Sequence, residues 1–564
     1  MKVVIIGGVA GGATAAARIR RLDEHAQIVM LERSGYISYA NCGLPYYIGG
    51  AIEDAGELTL QTPESFHARF RVDVRVHHEA TAIDLENKVV RVRNLKTRET
   101  YEEPYDKLVL APGARPIMPG LPGIDSPELF TLRTVEDTLR IRGHVDTQHP
   151  RSATVIGGGF IGLEMAENLA QRGLSVTIVE KMEQLMSPLD ADMASFVHAK
   201  FRKQGVGLAL GSAVTGFERT QEGILTHLDV GEPLRSDMVI LAIGVSPDST
   251  LAREAGLKLG MRGSIVVDEH MRTSAPDVYA VGDAVQIRHL VTGSEALISL
   301  AGPANKQARV AADNICGVSS VYHGAQGASI LKLFDMTAAS VGLNERAAQA
   351  AGLDYEKVVL SPANHASYYP GGRVMTLKVL YEKSSLRLLG AQIVGYDGVD
   401  KRIDVLATAL QAGMTAPQLA QLDLAYAPPY SSAKDPVNMA GFMAENIEAG
   451  LVRQFHHADL AALRQNPNVT LLDTRTPGEY AHGHAEGFIN IPVDELREHL
   501  SELDARKPVY VMCQSGLRSY VACRILSQHG FTCYNFSGGY RFYESIERNR
   551  LDERSAFPCG QMRD

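Results

Sequence analysis

Two cysteines in this sequence have the setting that sulfur chemistry needs. Cys513-Gln514-Ser515-Gly516-Leu517-Arg518 follows the apolar run Val509 to Cys513 and precedes a helix expected from about Ser519. That spacing puts a thiol in a tight loop at a helix N-terminus, where backbone N–H groups and the helix dipole stabilise a thiolate or persulfide. Cys42 lies in Ser38-Tyr39-Ala40-Asn41-Cys42-Gly43-Leu44-Pro45-Tyr46, and the next cysteine is Cys316, so a C-x4-C dithiol is absent. Taken alone, a single loop cysteine is more often a packing residue. Cys316, Cys523, Cys533 and Cys559 read as packing or exposed positions, and no C-x-x-C pair is present to hold zinc. No metal site is expected.

Two glycine loops supply the second kind of chemistry. Gly157-x-Gly159-x-x-Gly162 follows the strand Ala153 to Ile156 and opens a helix to about Arg172, with Glu180 eighteen residues beyond Gly162 at the end of a strand from Ser175. This is the dinucleotide fingerprint: glycines for a tight turn and close approach to pyrophosphate, a helix N-terminus facing its charge, and an acid for the ribose hydroxyls. Glu180 would repel a 2′-phosphate and favours NADH, while Lys181 beside it leaves NADPH open. The first loop, Gly7-Gly8-Val9-Ala10-Gly11-Gly12, is less regular, with Val9 in place of the middle glycine and Glu32 twenty residues past Gly12. On the helix expected from about Ala13 to Leu22, Thr14, Arg18 and Arg21 share one face and Arg20 points elsewhere. Two guanidinium forks there suit phosphates, and a plain solvated basic face accounts for them equally well.

The two loops, the junction Tyr105-Asp106-Lys107-Leu108-Val109-Leu110-Ala111-Pro112-Gly113 and the segment Val278-Tyr279-Ala280-Val281-Gly282-Asp283-Ala284 together resemble the FAD- and NAD(P)H-dependent pyridine nucleotide disulfide oxidoreductases over about residues 1 to 445. The resemblance implies that Gly7, Gly8, Gly12, Glu32, Gly113 and Asp283 hold FAD, Glu32 at the ribose and Asp283 at the ribityl chain, and that Gly157, Gly159, Gly162 and Glu180 hold the nicotinamide nucleotide. The isolated Cys42 resembles the single-cysteine subgroup, most closely the coenzyme A disulfide reductases, in which this thiol forms a mixed disulfide or accepts sulfane sulfur. In that subgroup Thr14, Arg18, Arg21, Ser38 and Asn41 would contact coenzyme A, and Arg71 and Asn305 are carried over with them. The run Asp423 to Pro436 also resembles this subgroup. It implies a dimerisation domain whose Tyr426 and Lys434 reach the partner subunit's active site, with Tyr368 acting beside Tyr426; interface packing of Tyr426 is the plainer reading.

With Asp473-Thr474-Arg475, Glu479, Gly483-His484, Gly487 to Pro492 and Gly538-Gly539-Tyr540, the Cys513 loop resembles a single-domain rhodanese, its six residues from Cys513 to Arg518 having the sulfur-transfer length. Gln514, Gly516 and Arg518 are the residues expected to form that loop with Cys513. Gln514 and Ser515 are neutral, so dianionic thiosulfate would be held less well.

These residues need a scaffold. The expected class is α/β, with two Rossmann-like domains for FAD and NAD(P)H, an α+β dimerisation domain and a C-terminal α/β rhodanese domain. The boundaries read as 1–112 with 245–328 for a split FAD domain, 113–244 for the inserted NAD(P)H domain and 329–446 for dimerisation. A linker at 447–457, the rhodanese domain at 458–550 and a tail at 551–564 complete the reading. A chain of 564 residues with 45% hydrophobic and 21% charged residues is globular, and its net charge of −9 without a dense basic block argues against nucleic acid as a partner. No run of about eighteen apolar residues and no cleavable signal pattern is seen, so neither membrane insertion nor export is expected and the location reads as cytoplasmic. Together these readings describe a homodimeric flavoprotein that uses NADH to reduce persulfide or polysulfide sulfane sulfur, coenzyme A persulfide included, through Cys42, with Cys513 transferring sulfur. The rivals are a coenzyme A disulfide reductase with an independent sulfurtransferase domain, an NADH oxidase or peroxidase cycling Cys42 through a sulfenic acid, and a slow sulfur carrier or sensor.

Overall fold

Val3, Val4, Ile5 and Ile6 are at most 7% exposed in the strand Lys2–Ile6, buried on both faces as a central parallel strand must be. In the computed structural model, which describes residues 1–554, this strand centres a five-stranded sheet ordered Val278–Ala280, Lys107–Leu110, Lys2–Ile6, Gln27–Glu32, Asp73–Val76. All its pairings are parallel. The chain leaves Lys2–Ile6 toward one edge and later returns on its other side, which opens a crevice beyond the carboxyl ends of the central strands. A second all-parallel sheet repeats the plan in the order Gly207–Leu210, Ser175–Glu180, Ser152–Ile156, Met238–Leu241, Leu129–Phe130. Helix α1 (Ala10–Leu22) follows the first glycine loop and begins three residues earlier than expected, with Gly11 and Gly12 inside it. Helix α2 (Leu44–Gly49) follows Cys42, and α3 (Phe160–Gln171) follows the second glycine loop.

The chain divides into two compact units, and these elements belong to the first, residues 1–183 with 205–327. The second holds 184–204 and, among the described residues, 328–554, so the segment 184–204, expected with the nucleotide domain at 113–244, groups elsewhere. The cause is ionic and aromatic. Lys378, fully buried, takes Asp190 at 2.8 Å, Asp192 at 2.9 Å and Glu345 as partners, so one ammonium binds all three carboxylates gathered there. Helix α4 (Ala191–Lys203) bonds Ser195 to Ser545 at 2.7 Å and His198 to Asn549 at 2.8 Å, and stacks Phe196 on Phe542.

Within the second unit, the antiparallel sheet Ser329–Leu333, Met336–Gly342, Leu388–Gly395, Thr376–Glu382, Tyr355–Leu360 is followed by the helices Val399–Gln411 and Pro436–Glu448. A further parallel sheet runs Gln454–Phe455, Cys533–Phe536, Val509–Met512, Thr470–Asp473, Ile489–Asn490. Its first strand lies within the expected linker at 447–457: Phe455, 3% exposed, packs edge-on against Phe536 and pairs with it, so Gln454–Phe455 belongs to the sheet. Helices α5 (Leu517–Gln528) and α6 (Gly539–Arg554) flank that sheet. Cys559 and most of the expected tail at 551–564 lie outside the described residues. No helix among the described residues is long and apolar enough to cross a membrane.

Candidate functional site

The two glycine loops are built alike. A Cβ on Gly7 (φ +98°) would lie 2.1 Å from the Ala111 carbonyl oxygen, and one on Gly157 (φ +108°) 2.3 Å from that of Ala242. At the helix ends, a Cβ on Gly12 would meet the Gly7 oxygen at 1.8 Å and one on Gly162 the Gly157 oxygen at 1.9 Å. These four glycines therefore serve close packing of strand, turn and helix. Gly159 differs, because a Cβ there meets no protein atom within 4 Å. Its smallness leaves an open space over a helix N-terminus, the place a pyrophosphate takes. In the first loop Val9 stands at the matching position.

Each loop is fixed by the acid predicted for it. Glu32 accepts from the Gly8 N–H at 2.8 Å through one oxygen and from Ser34 at 2.8 Å through the other. Glu180 accepts from Gly158 at 2.6 Å and Met182 at 2.8 Å in the same way. Each carboxylate oxygen keeps a second lone pair, so both acids are held in place and still able to accept from a ribose. Asp283, at the turn after Val278–Ala280, has its carboxyl pushed up by burial, with Arg133, 3.7 Å away, opposing that rise. Gly113 (φ +72°) allows Arg133 to pass, since a Cβ there would meet its guanidinium at 2.6 Å. These residues fit FAD and a nicotinamide nucleotide.

An expected outcome separates the two kinds of glycine. Gly159→Ala should keep the melting temperature of the parent, because its Cβ has room, yet lose about tenfold in NADH affinity because that room is the pyrophosphate's. Gly162→Ala should lower both. Thermal melts and anaerobic NADH titration of the flavin read the difference, and equal stability losses would refute the distinction.

Cys42 is exposed and lies in a short helical turn, Asn41–Gly43, ahead of α2. The protein atoms around its sulfur withhold solvent and push the thiol up, and Glu164 and Asp283 add to that while Arg133 opposes it. Asn41 is fixed by Arg133, its amide oxygen accepting from Nη1 at 2.8 Å and its nitrogen donating to the Arg133 carbonyl at 3.1 Å. Ser38 has a left-handed φ of +44° and donates its N–H to Gly8 at 2.8 Å, tying the Cys42 segment to the first glycine loop.

The expected phosphate face on α1 is only partly available. Thr14 donates to Asn305 at 2.5 Å, so two of the residues expected to contact a ligand do meet. Arg18, however, is drawn through Nε to Asp313 at 2.7 Å, whereas Arg21 and Arg71 are exposed. Arg20 is buried and donates to five carbonyls, among them Phe70, Ala26 and Arg71, which confirms that it points elsewhere and shows it to be structural. In the second unit Tyr368 and Tyr426 are 74% and 48% exposed and share a hydrogen bond of 3.0 Å, which pushes the Tyr426 phenol up. Lys434 is exposed nearby in sequence.

At the second thiol, the Cys513 sulfur is buried and accepts from the Gly516 N–H and the Ser519 hydroxyl, both at 3.2 Å. Gly539 (φ +71°) lets the loop sit close, since a Cβ there would lie 2.6 Å from the Ser515 nitrogen. The Tyr540 N–H then donates to the Cys513 carbonyl at 2.7 Å. Arg518, the last residue of the loop, forms two 2.7 Å bonds to Glu479 and holds that carboxyl down at about 2. Gln514 accepts at 3.3 Å from Arg475, which is buried against Asp473 and stacked 3.8 Å over Tyr540.

Sequence reasoning missed Arg133, Glu164, Tyr46 and Ser519. Ser519 was within reach as the hydroxyl six residues after Cys513 at the helix start; Arg133 carried no local signal.

A family model for pyridine nucleotide-disulphide oxidoreductases matches residues 1–308, one for their dimerisation domain matches 329–436, and one for rhodanese-like domains matches 456–545. A coenzyme A disulfide reductase from Staphylococcus aureus is 37% identical over 449 residues, 79% of this chain and 100% of its own length. Among solved structures, reduced CoADR-RHD from Bacillus anthracis is 47% identical, with a TM-score of 0.95 over 97% of this chain and 98% of that one. A NAD-dependent persulfide reductase from A. fulgidus is 40% identical, with a TM-score of 0.91 over 96% of this chain and 100% of that one.

Proposed function

The chain belongs to the pyridine nucleotide-disulphide oxidoreductases, and from that premise we propose that it is an NADH-dependent reductase of persulfide and polysulfide sulfane sulfur, with a rhodanese domain that passes sulfur on. What carries this reading is that the likeness to a persulfide reductase covers 96% of the chain, and that the Cys513 loop keeps two donors on its sulfur.

In this reading the Cys42 thiolate takes the outer sulfur of R–S–SH, forming a Cys42 persulfide and releasing R–S–, which collects a proton. Bound FAD supplies the two-electron relay by which NADH then frees that sulfur as sulfide. Glu32 and the first loop hold one nucleotide, Glu180 and the second loop the other. Glu180, fixed by Gly158 and Met182, presents negative charge where a 2′-phosphate would lie, which favours NADH. Thr14, Arg18, Arg21, Ser38, Asn41, Arg71 and Asn305 serve a coenzyme A moiety, as substrate or retained cofactor. Tyr368, Tyr426 and Lys434 serve the Cys42 site of a second copy in a homodimer. Cys513 carries sulfur from an outside donor, with Gln514 and Gly516 shaping its loop.

Parallel assays test this. NADH oxidation and sulfide are measured with glutathione persulfide, polysulfide, coenzyme A persulfide and coenzyme A disulfide. Faster turnover on the persulfides with one sulfide per NADH is expected; turnover confined to coenzyme A disulfide would leave a disulfide reductase carrying an independent sulfurtransferase.

A further inference from the structure

Cys42 precedes α2, and four residues further on, on that helix, Tyr46 donates its hydroxyl at 3.3 Å to Glu164, which lies on α3. The helix that starts at the second glycine loop therefore delivers a carboxyl beside the thiol segment, and the tyrosine fixes which way it faces. We propose that Glu164, held by Tyr46, governs when the Cys42 sulfur is anionic, and so acts as a positioning residue for the reducing thiol.

The proposal rests on the reading of Cys42 as the sulfur-accepting thiol. Burial and the neighbouring Glu167 push Glu164 up to about 7, with the Tyr46 hydrogen bond pulling the other way. Glu164 in turn raises the Cys42 thiol. Two groups that share one site in this way titrate as a pair: the carboxyl ionises first, and the thiol then has to ionise against it. Protonation of Glu164 thus eases formation of the thiolate, and its ionisation opposes it.

The other charged groups around the pair are committed elsewhere or act in known directions. Arg133 lowers the thiol, Asp283 raises it, and Glu167, one turn along α3, acts on Glu164 and Tyr46. On the helix Val135–Gln148 packed against α2, Arg142 lies over the Tyr47 ring, and Asp146 pairs with both Arg142 and Arg172. Glu57, in the turn Ala55–Leu58, is exposed.

The test is the pH dependence of Cys42 alkylation by iodoacetamide in the holoenzyme, followed on the Cys42 peptide by mass spectrometry, so that persulfide turnover plays no part in the readout. Glu164→Gln should move the midpoint down by about one pH unit, a tenfold rise in thiolate fraction below it. Glu164→Asp, which keeps the charge, should stay near the parent profile. Tyr46→Phe, which leaves the carboxyl neutral to higher pH, should move the midpoint down by less. A Gln variant within about 0.3 unit of the parent, or a Tyr46→Phe profile that moves up, overturns the proposal. Loss of persulfide turnover with an intact shift would instead count against the proposed function alone.

Discussion

Cys42→Ser should release no measurable sulfide from any persulfide and still bind FAD and accept electrons from NADH. The two halves of that outcome have separate structural causes. In the proposed function nucleotide capture falls to the loops at Gly7 to Gly12 and Gly157 to Gly162 with their acids, and the Cys42 side chain takes part in none of the hydrogen bonds that fix those acids. Sulfur capture depends on a sulfur nucleophile that can form and break an S–S bond, which a serine hydroxyl cannot replace, so a fall of about a thousandfold or more is expected. Anaerobic rapid mixing with NADH, watching the flavin absorbance, should give parent-like bleaching, while steady-state sulfide production falls to background. Full sulfide release in the variant would remove Cys42 from the mechanism. The same thiol sets a pH trend in the parent. Because its surroundings hold it above its ordinary range, the thiolate fraction is small at neutral pH and grows as pH rises, so reaction with persulfide should accelerate toward alkaline pH.

How far the sequence reached depended on the range of the contacts. The strand Ser175–Glu180 was legible to the residue, since it is an apolar, β-branched run closed by an acid. Helix α1 began early because Gly11 and Gly12, poor helix formers, are required inside it: a Cβ on Gly11 would meet Val281 at 2.9 Å and one on Gly12 the Gly7 oxygen. Packing overrode propensity there. The strand at Gln454–Phe455 went unread because two residues carry no period; only the pairing with Asn535 and Phe536 defines it. In the site, residues adjacent to a motif were found and those brought from afar were not. Asn41 was legible beside Cys42, but its partner Arg133 is distant in sequence, and Glu164 lies 118 residues from Tyr46. Arg518 shows the same limit: its place in the loop was visible, while its pairing with Glu479, read only as a family mark, was not.

Cys513→Ser should abolish sulfur transfer by the rhodanese domain, at least about a hundredfold, slow NADH-driven sulfide release from bulky persulfide donors about tenfold, and leave coenzyme A disulfide reduction unchanged. The argument begins from burial. Cys513 is 1% exposed, so a donor must reach it through the loop, and a sulfur transferred there meets the Gly516 N–H and the Ser519 hydroxyl. Those two donors suit a single terminal anion. The loop side chains Gln514 and Ser515 are neutral, and Arg475 and Arg518 are paired with Asp473 and Glu479, so a dianion such as thiosulfate finds little uncommitted positive charge. Persulfide donors should therefore outperform thiosulfate in cyanide-trapping assays on the parent. Tethering raises the local concentration of the transferred sulfur for the reductase site, and that advantage is what a bulky donor needs and a small one does not. The Ser substitution removes the carrier atom while keeping the Tyr540 bond to the Cys513 carbonyl, so the fold of the loop is preserved. Ser519→Ala, which deletes one of the two donors, should fall between parent and Cys513→Ser in transfer rate. If Cys513→Ser leaves sulfide release from every persulfide untouched, the two thiols work independently, and the fused domain serves a sulfurtransferase reaction of its own.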